Sequence, residues 1–216
     1  MWRERQSNSR FVESVWESCA PVATSRTVIA DPCSSLALVK NNDAMRVVLA
    51  GPKTKPHDIQ VPAGSRYTTI RFKPGVSFKG VSLHELTDAS LLFMADAKAR
   101  FQFEGAYLQF PHFDKIEQFV DALYEQGYLE FKDPEDATRA SPRTYSRYIQ
   151  RVTGLSPHQL YQLQRMHEAL RLLKQGVSAV DVAAELAFVD QSHLTRSSKR
   201  FLGHTPKHSS QLPQTP

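Results

Sequence analysis

Two short clusters of hydrogen-bonding side chains lie in the last third of the chain. The first is Arg143, Thr144, Ser146, Arg147 and Gln150; the second is Gln191, Ser192, His193, Thr195 and Arg196, with Lys199 and Arg200 close behind. Arg can take the O6/N7 edge of guanine in a bidentate pair, and Gln the N6/N7 edge of adenine. Ser, Thr and Lys serve phosphate oxygens as readily. From Arg139 to Lys207 there are eleven Lys/Arg against four Asp/Glu, a net +7, whereas the remaining 16 basic and 18 acidic residues net −2. The excess of +5 therefore sits on one segment. A solvated basic face without a partner has the same composition; a polyanion partner is the sharper reading.

Each cluster needs an element to hold it. Asp133-Pro134, Ser141-Pro142 and Ser156-Pro157 each place an N-cap acceptor before a proline at the first helical position, where the missing N–H costs nothing. The spacing predicts a helix from Pro142 to about Gly154, with Tyr145, Ile149 and Val152 inward. A longer one runs from Pro157 to about Gln175 with Leu160, Leu163, Met166, Leu170 and Leu173 inside. Ser178 opens a short helix, and Asp190 caps another that reaches about Leu202. These make two helix-turn-helix units, roughly 134–152 and 178–202, with the polar clusters near the start of each second helix. That is where a recognition helix meets base edges. The 19 residues from Pro157 to Gln175 would span about 28 Å as a helix. This approaches the roughly 34 Å between successive major-groove faces.

Upstream the pattern changes. From about Thr27 to Phe72, runs such as RTVIA, MRVVLA and YTTIRF alternate with Pro, Gly, Asn and Asp clusters, predicting an antiparallel sandwich or small barrel. Ser82 and Glu85 fit a capping box, so a helix with Leu83, Leu86 and Leu91 in the core is expected between Ser82 and Phe101. Ile116, Phe119, Val120, Leu123 and Tyr124 form a helical stripe whose opposite face is acidic. The fold class expected is α+β: a small β-rich, barrel-like domain at 1–110, an all-α domain with two helix-turn-helix units at 111–208, and a flexible tail at 209–216.

Catalytic and metal chemistry find little support. The eight histidines include no HExxH, His204 and His208 are separated by Pro206, and the two cysteines, Cys19 and Cys33, lack metal-ligand spacing. No GxSxG, phosphate-loop or dinucleotide fingerprint is present. His57, His84 and His112 sit in separate segments and would have to converge in a barrel to bind metal. No catalytic residue, metal ligand or cofactor is expected, and the chain reads as a non-enzyme. At 216 residues, with 41% apolar and 23% charged, it is an ordinary folded composition. No run approaches the roughly 18 apolar residues of a membrane span, so no membrane partner and a cytoplasmic location are expected.

The stretch from about Ser141 to Pro206 resembles the DNA-binding domain of AraC/XylS-type transcription regulators. The resemblance is carried by SPRTYSR, VTGLSP, VAAELAFVDQSHLTR and KRFLGHTP in that order and spacing. It implies a seven-helix domain that grips double-stranded DNA through two units joined by a rigid helix. RFKPG at Arg71–Gly75 and FVESVWE at Phe11–Glu17 are similar, more loosely, to the sensor domain ahead of this reader in some members. A small-molecule effector, a second copy of the chain and RNA polymerase are then candidate partners. Two positions depart from the family: Ala187 stands where glycine is usual, and Ser198 where a large aromatic is usual. A positive φ at Ala187 would cost about 1–2 kcal/mol. If Ser198 marks a depleted core site, Ser198→Phe should raise stability.

Two functional classes stay open at this point. One is a sequence-specific transcription regulator, with Arg143, Thr144, Ser146, Arg147, Gln150, Gln191, Ser192, His193, Thr195 and Arg196 toward bases and Lys199 and Arg200 toward phosphates. The other is a small-molecule or metal-binding barrel, with or without catalysis, whose helical tail is structural.

Overall fold

The computed structural model describes residues 2–41 and 44–209. Its first part is β-rich. The strands are β1 (Trp2–Gln6), β2 (Val12–Ala20), β3 (Thr24–Val28), β4 (Ser35–Asn41), β5 (Ala44–Ala50), β6 (His57–Val61), β7 (Ser65–Phe72) and β8 (Val76–Phe78). After the short helix α1 (Leu83–Leu86) come β9 (Ser90–Ala95), β10 (Arg100–Phe103) and β11 (Ala106–Gln109). Eight strands form one antiparallel sheet in the order β1-β2-β7-β4-β5-β9-β10-β11, which ends on different strands and so is an open sheet, not a closed barrel. β3 pairs with β6 outside it.

The helix expected between Ser82 and Phe101 stops after one turn. Ser82 does cap it, accepting from the Glu85 N–H, and Leu83 and Leu86 are buried. Asp88 then takes a left-handed backbone (φ 58°), and the chain turns into β9, where Leu91 pairs with Leu49 and is 41% exposed.

Next in the chain are α2 (Ile116–Glu125) and β12 (Leu129–Phe131). The α2 stripe is helical as its spacing predicts, but Ile116, Val120 and Leu123 pack into the core that also holds Phe11, Val15, Ile70 and Phe72. β12 pairs with β8, Leu129 opposite Phe78. The acidic face is partly engaged, since Glu117 accepts from Arg5 Nη2 at 2.7 Å. The hydrogen bond holds its carboxyl down to about 2, against a smaller opposing effect of burial.

The remainder is helical: α3 (Pro142–Thr153), α4 (Pro157–Lys174), α5 (Ala179–Glu185), α6 (Gln191–Leu202) and α7 (Pro206–Ser209). Between β12 and α3, Pro134–Ala137 makes a 3-10 turn in place of a leading α-helix. Only seven residues separate the Asp133 cap from the Ser141 cap, too few for two α-turns and a connection. The seven helical segments implied by the resemblance thus appear as α2, this turn and α3–α7, with α2 belonging to the other core. The second core gathers Ile149, Leu155, Leu163, Met166, Leu172, Val182, Phe188, Leu194 and Leu202. It also takes in Ala30 from the β-rich part. The tail expected at 209–216 lies outside the described residues, except that Ser209 ends α7.

Candidate nucleic-acid interface

Cap chemistry positions both polar clusters. The Ser141 hydroxyl accepts from the Thr144 N–H, Pro142 holds the first helical position, and Gly154 ends α3 in the left-handed region (φ 77°). On α6, Asp190 accepts from the His193 N–H at 2.6 Å, and Gly203 ends the helix (φ 81°). Such caps satisfy backbone donors that a helix start leaves unpaired. Inward, Ile149 and Leu194 are fully buried and Val152 nearly so, while Tyr145 is half-buried. That fixes the rotation of each helix. Arg143, Ser146, Arg147 and Gln150 are left exposed on α3, and Gln191, Ser192, Arg196, Lys199 and Arg200 on α6.

The remaining predicted residues are more committed. The Thr144 hydroxyl lies 3.0 Å from Ser141 Oγ, inside the cap. Thr195 is half-buried, and its hydroxyl donates back to the Gln191 carbonyl at 2.9 Å. His193 is also half-buried; its ring meets Phe188 edge-on with centroids 5.3 Å apart. Arg200 packs over Phe201, 5.0 Å from the ring centre.

The two helices are joined by α4, 18 residues long, or about 27 Å. It opens with a full capping box between Ser156 and Gln159. Tyr148, on α3, donates from its hydroxyl to the Asp133 carbonyl at 2.9 Å and so ties the 3-10 turn to its helix. A groove of about 430 Å³ runs between the end of α4, the start of α5 and α6, lined in part by Leu173, Val177, Ala179, Gln191 and Thr195.

The turn of the second unit carries the two departures. Ala187 has φ 55°, the conformation that glycine would adopt without strain. Ala187→Gly is therefore expected to raise the unfolding free energy by about 1 kcal/mol, seen as a higher midpoint in thermal or urea unfolding. Ser198 is not a depleted site. It is fully buried, and its hydroxyl donates to the His204 carbonyl at 2.6 Å. Phe there would overfill the space and strip that carbonyl of its donor, so Ser198→Phe should lower stability by about 1–3 kcal/mol, checked in the same unfolding experiment.

Arg165, which the sequence reading passed over, clasps this turn. Its Nη1 points at the Ala187 carbonyl at 3.4 Å, its guanidinium carbon lies 4.1 Å from the Phe188 ring centre, and Nη2 donates to Gln162 at 2.8 Å. Its place on α4, beside the apolar stripe, was the one available signal. Also missed were Asp31, Arg71 and His167, which meet where the β-rich part touches α4. Arg71 donates from Nε and Nη2 to the two Asp31 oxygens at 2.7 and 2.9 Å. Burial pushes the Asp31 carboxyl up, but Arg71 and His167, with the Arg71 and Cys33 N–H bonds, outweigh it and hold it at about 2.

Among the described residues no group of three His, Cys, Asp or Glu side chains could hold a metal ion, so His57, His84 and His112 do not converge as the barrel alternative requires. No helix among them is long and apolar enough to cross a membrane.

Comparison with known proteins finds matches in two separate stretches of the chain. Residues 136–211 match a helix-turn-helix domain family, and residues 8–91 match a domain of unknown function (DUF6597). No curated protein sequence matches the chain. Among solved structures, ToxT from Vibrio cholerae is similar in fold, with TM-score 0.50 and 8% identity over 99% of both chains. The apo form of a singly substituted ToxT variant scores 0.47 at 14% identity, covering 94% of this chain and 98% of that one. ToxT bound to an unsaturated fatty acid scores 0.45 at 12% identity, over 98% and 99% of the two chains. The chain carries an AraC-type helix-turn-helix domain at its C-terminus, behind a β-rich N-terminal domain.

Proposed function

We propose that the chain is a sequence-specific, DNA-binding transcription regulator that sets α3 and α6 into successive major-groove segments of one duplex. The observation that carries this reading is the pair of capped helices, each with a buried apolar face and an exposed Arg/Gln/Ser face, in a segment of net charge +7. In this reading the chain divides after Phe131, since α2 and β12 pack with the β-rich part. The N-terminal domain then modulates the reader. Arg143, Ser146, Arg147 and Gln150 on α3, and Gln191, Ser192 and Arg196 on α6, face the bases. Thr144, His193 and Thr195 shape the entry of each helix, and Lys199 and Arg200 take phosphates.

An electrophoretic shift titration with the DNA upstream of the chain's own coding sequence, against competitor DNA and across salt, tests this reading. A regulator loses affinity steeply with salt and binds its site about 10³-fold or more tighter than competitor. A barrel protein with a structural tail does neither. Arg147→Ala should cost about 1–3 kcal/mol and relax preference at the bases it reads, whereas Lys199→Ala should weaken all sequences alike. Equal, sequence-blind losses from both would remove the readout assignment.

A further inference from the structure

The two parts are joined at the C-terminal ends of both candidate reading helices. A helix leaves its last four carbonyls without intrahelical partners. On α6 one of these, the Phe201 carbonyl, accepts the Ala30 N–H from the N-terminal domain at 2.8 Å. At the end of α3, the Gly154 carbonyl lies 3.2 Å from the Thr87 hydroxyl, which also donates to Leu83 at 2.9 Å. Gly154 itself sits so close that a Cβ there would lie 2.5 Å from the Leu83 carbonyl oxygen. Ala30 is fully buried in the helical core.

What holds Ala30 in place is a polar cluster that crosses the same boundary. His167, at the middle of α4, donates from Nε2 to the Ala30 carbonyl at 2.7 Å. This leaves Nδ1 as an acceptor, and Arg71 Nη2 faces it at 3.4 Å. Arg71 in turn grips Asp31, next to Ala30 in the chain, through both carboxylate oxygens. The Arg71, Asp31 and His167 side chains retain only 16–22% exposure. One residue of the N-terminal domain thus bridges the connector helix and the end of α6.

Resting on the regulator reading, we infer that Asp31, Arg71 and His167 are positioning residues: they brace the connector helix against the N-terminal domain and thereby set how α3 and α6 are presented together. The geometry requires His167 to be neutral, because a proton on Nδ1 would face the Arg71 N–H groups. The charged groups facing the ring are Arg71 on β7, Asp31 before β4 and Glu13 on β2, with the Cys33 thiol beside Asp31. Burial depresses the affinity of His167 for a proton, Arg71 adds to this, and Asp31 opposes it. The brace is therefore complete above the ordinary imidazole value of 6.5 and weakens as pH falls below it.

The test uses the full chain, a duplex carrying both half-sites recovered by selection, and a duplex carrying one. Asp31→Asn should weaken binding to the double site by about tenfold while leaving the single site within about threefold, because coupling is lost and contact is not. His167→Gln offers an N–H to Ala30 and an oxygen to Arg71 without titrating. It should bind like the parent at neutral pH and lack the parent's loss of affinity as pH falls below the ordinary imidazole value of 6.5. Unchanged double-site affinity in Asp31→Asn, or an unaltered pH profile in His167→Gln, would overturn the brace. Amide hydrogen exchange decides it separately from DNA. Asp31→Asn should speed exchange in the last turns of both α3 and α6, and unaltered exchange there would refute the brace. A parent chain that binds no DNA would instead refute the regulator reading, with the brace still judged by exchange.

Discussion

Arg71→Met is expected to lower the unfolding free energy by about 3 kcal/mol, because it leaves the Asp31 carboxylate buried without its cation. In a chain of 216 residues that corresponds to a fall of roughly 6–12 °C in the unfolding midpoint. The effect should depend on pH with a defined sign. The Asp31 carboxyl is held below its ordinary 3.8, at about 2. Its contribution is therefore present above about pH 4 and lost as pH falls toward 2, where the carboxyl protonates even in the folded chain. Parent and variant should converge in stability across that window. A calorimetric series from neutral to acid pH checks this; an unchanged gap at low pH would place the cost of Arg71→Met elsewhere.

Leu194→Ala is the second large effect. Leu194 is fully buried, with 0% of its surface exposed, on the inward face of α6. Truncation leaves a void among Val182, Phe188 and the α4 stripe, at a cost of about 3–4 kcal/mol. Its functional signature should be local. Protection of the half-site read by α6 should fade more than that of the half-site read by α3, because the void opens beneath α6, whereas α3 is also held at its end by the Thr87 hydroxyl on the Gly154 carbonyl. Equal loss at both half-sites in footprinting would mean that the second unit does not read DNA by itself.

What could be read from the sequence was what local chemistry decides. Ser141, Ser156, Ser178 and Asp190 cap the helices they were expected to cap, since a cap needs only the residues within one turn of it. The inward face of α3 followed from spacing alone. Strand β9 was misread because SLLFMA has no alternation: Leu92 and Met94 face solvent at 57% and 70%, so the preceding capping box carried the helical reading too far. The α2 stripe was legible as a helix, but a stripe does not say which core it joins. Ser198 shows the same limit. A comparison of residue types suggested a missing ring, whereas a hydroxyl donating to the His204 carbonyl occupies the position. Asp31, Arg71 and His167 stand 40 and 96 positions apart along the chain. No local pattern joins residues so far apart; only the docking of Ala30 into the helical core brings them together.

The most direct measurement is selection of bound sequences from a random DNA pool by the full chain, followed by footprinting of the recovered sites. The regulator reading predicts a bipartite sequence, its halves about one helical turn apart, with Arg147→Ala changing preference in one half and Arg196→Ala in the other. Recovery of no preferred sequence, or of a single undivided element unaffected by either substitution, would contradict it.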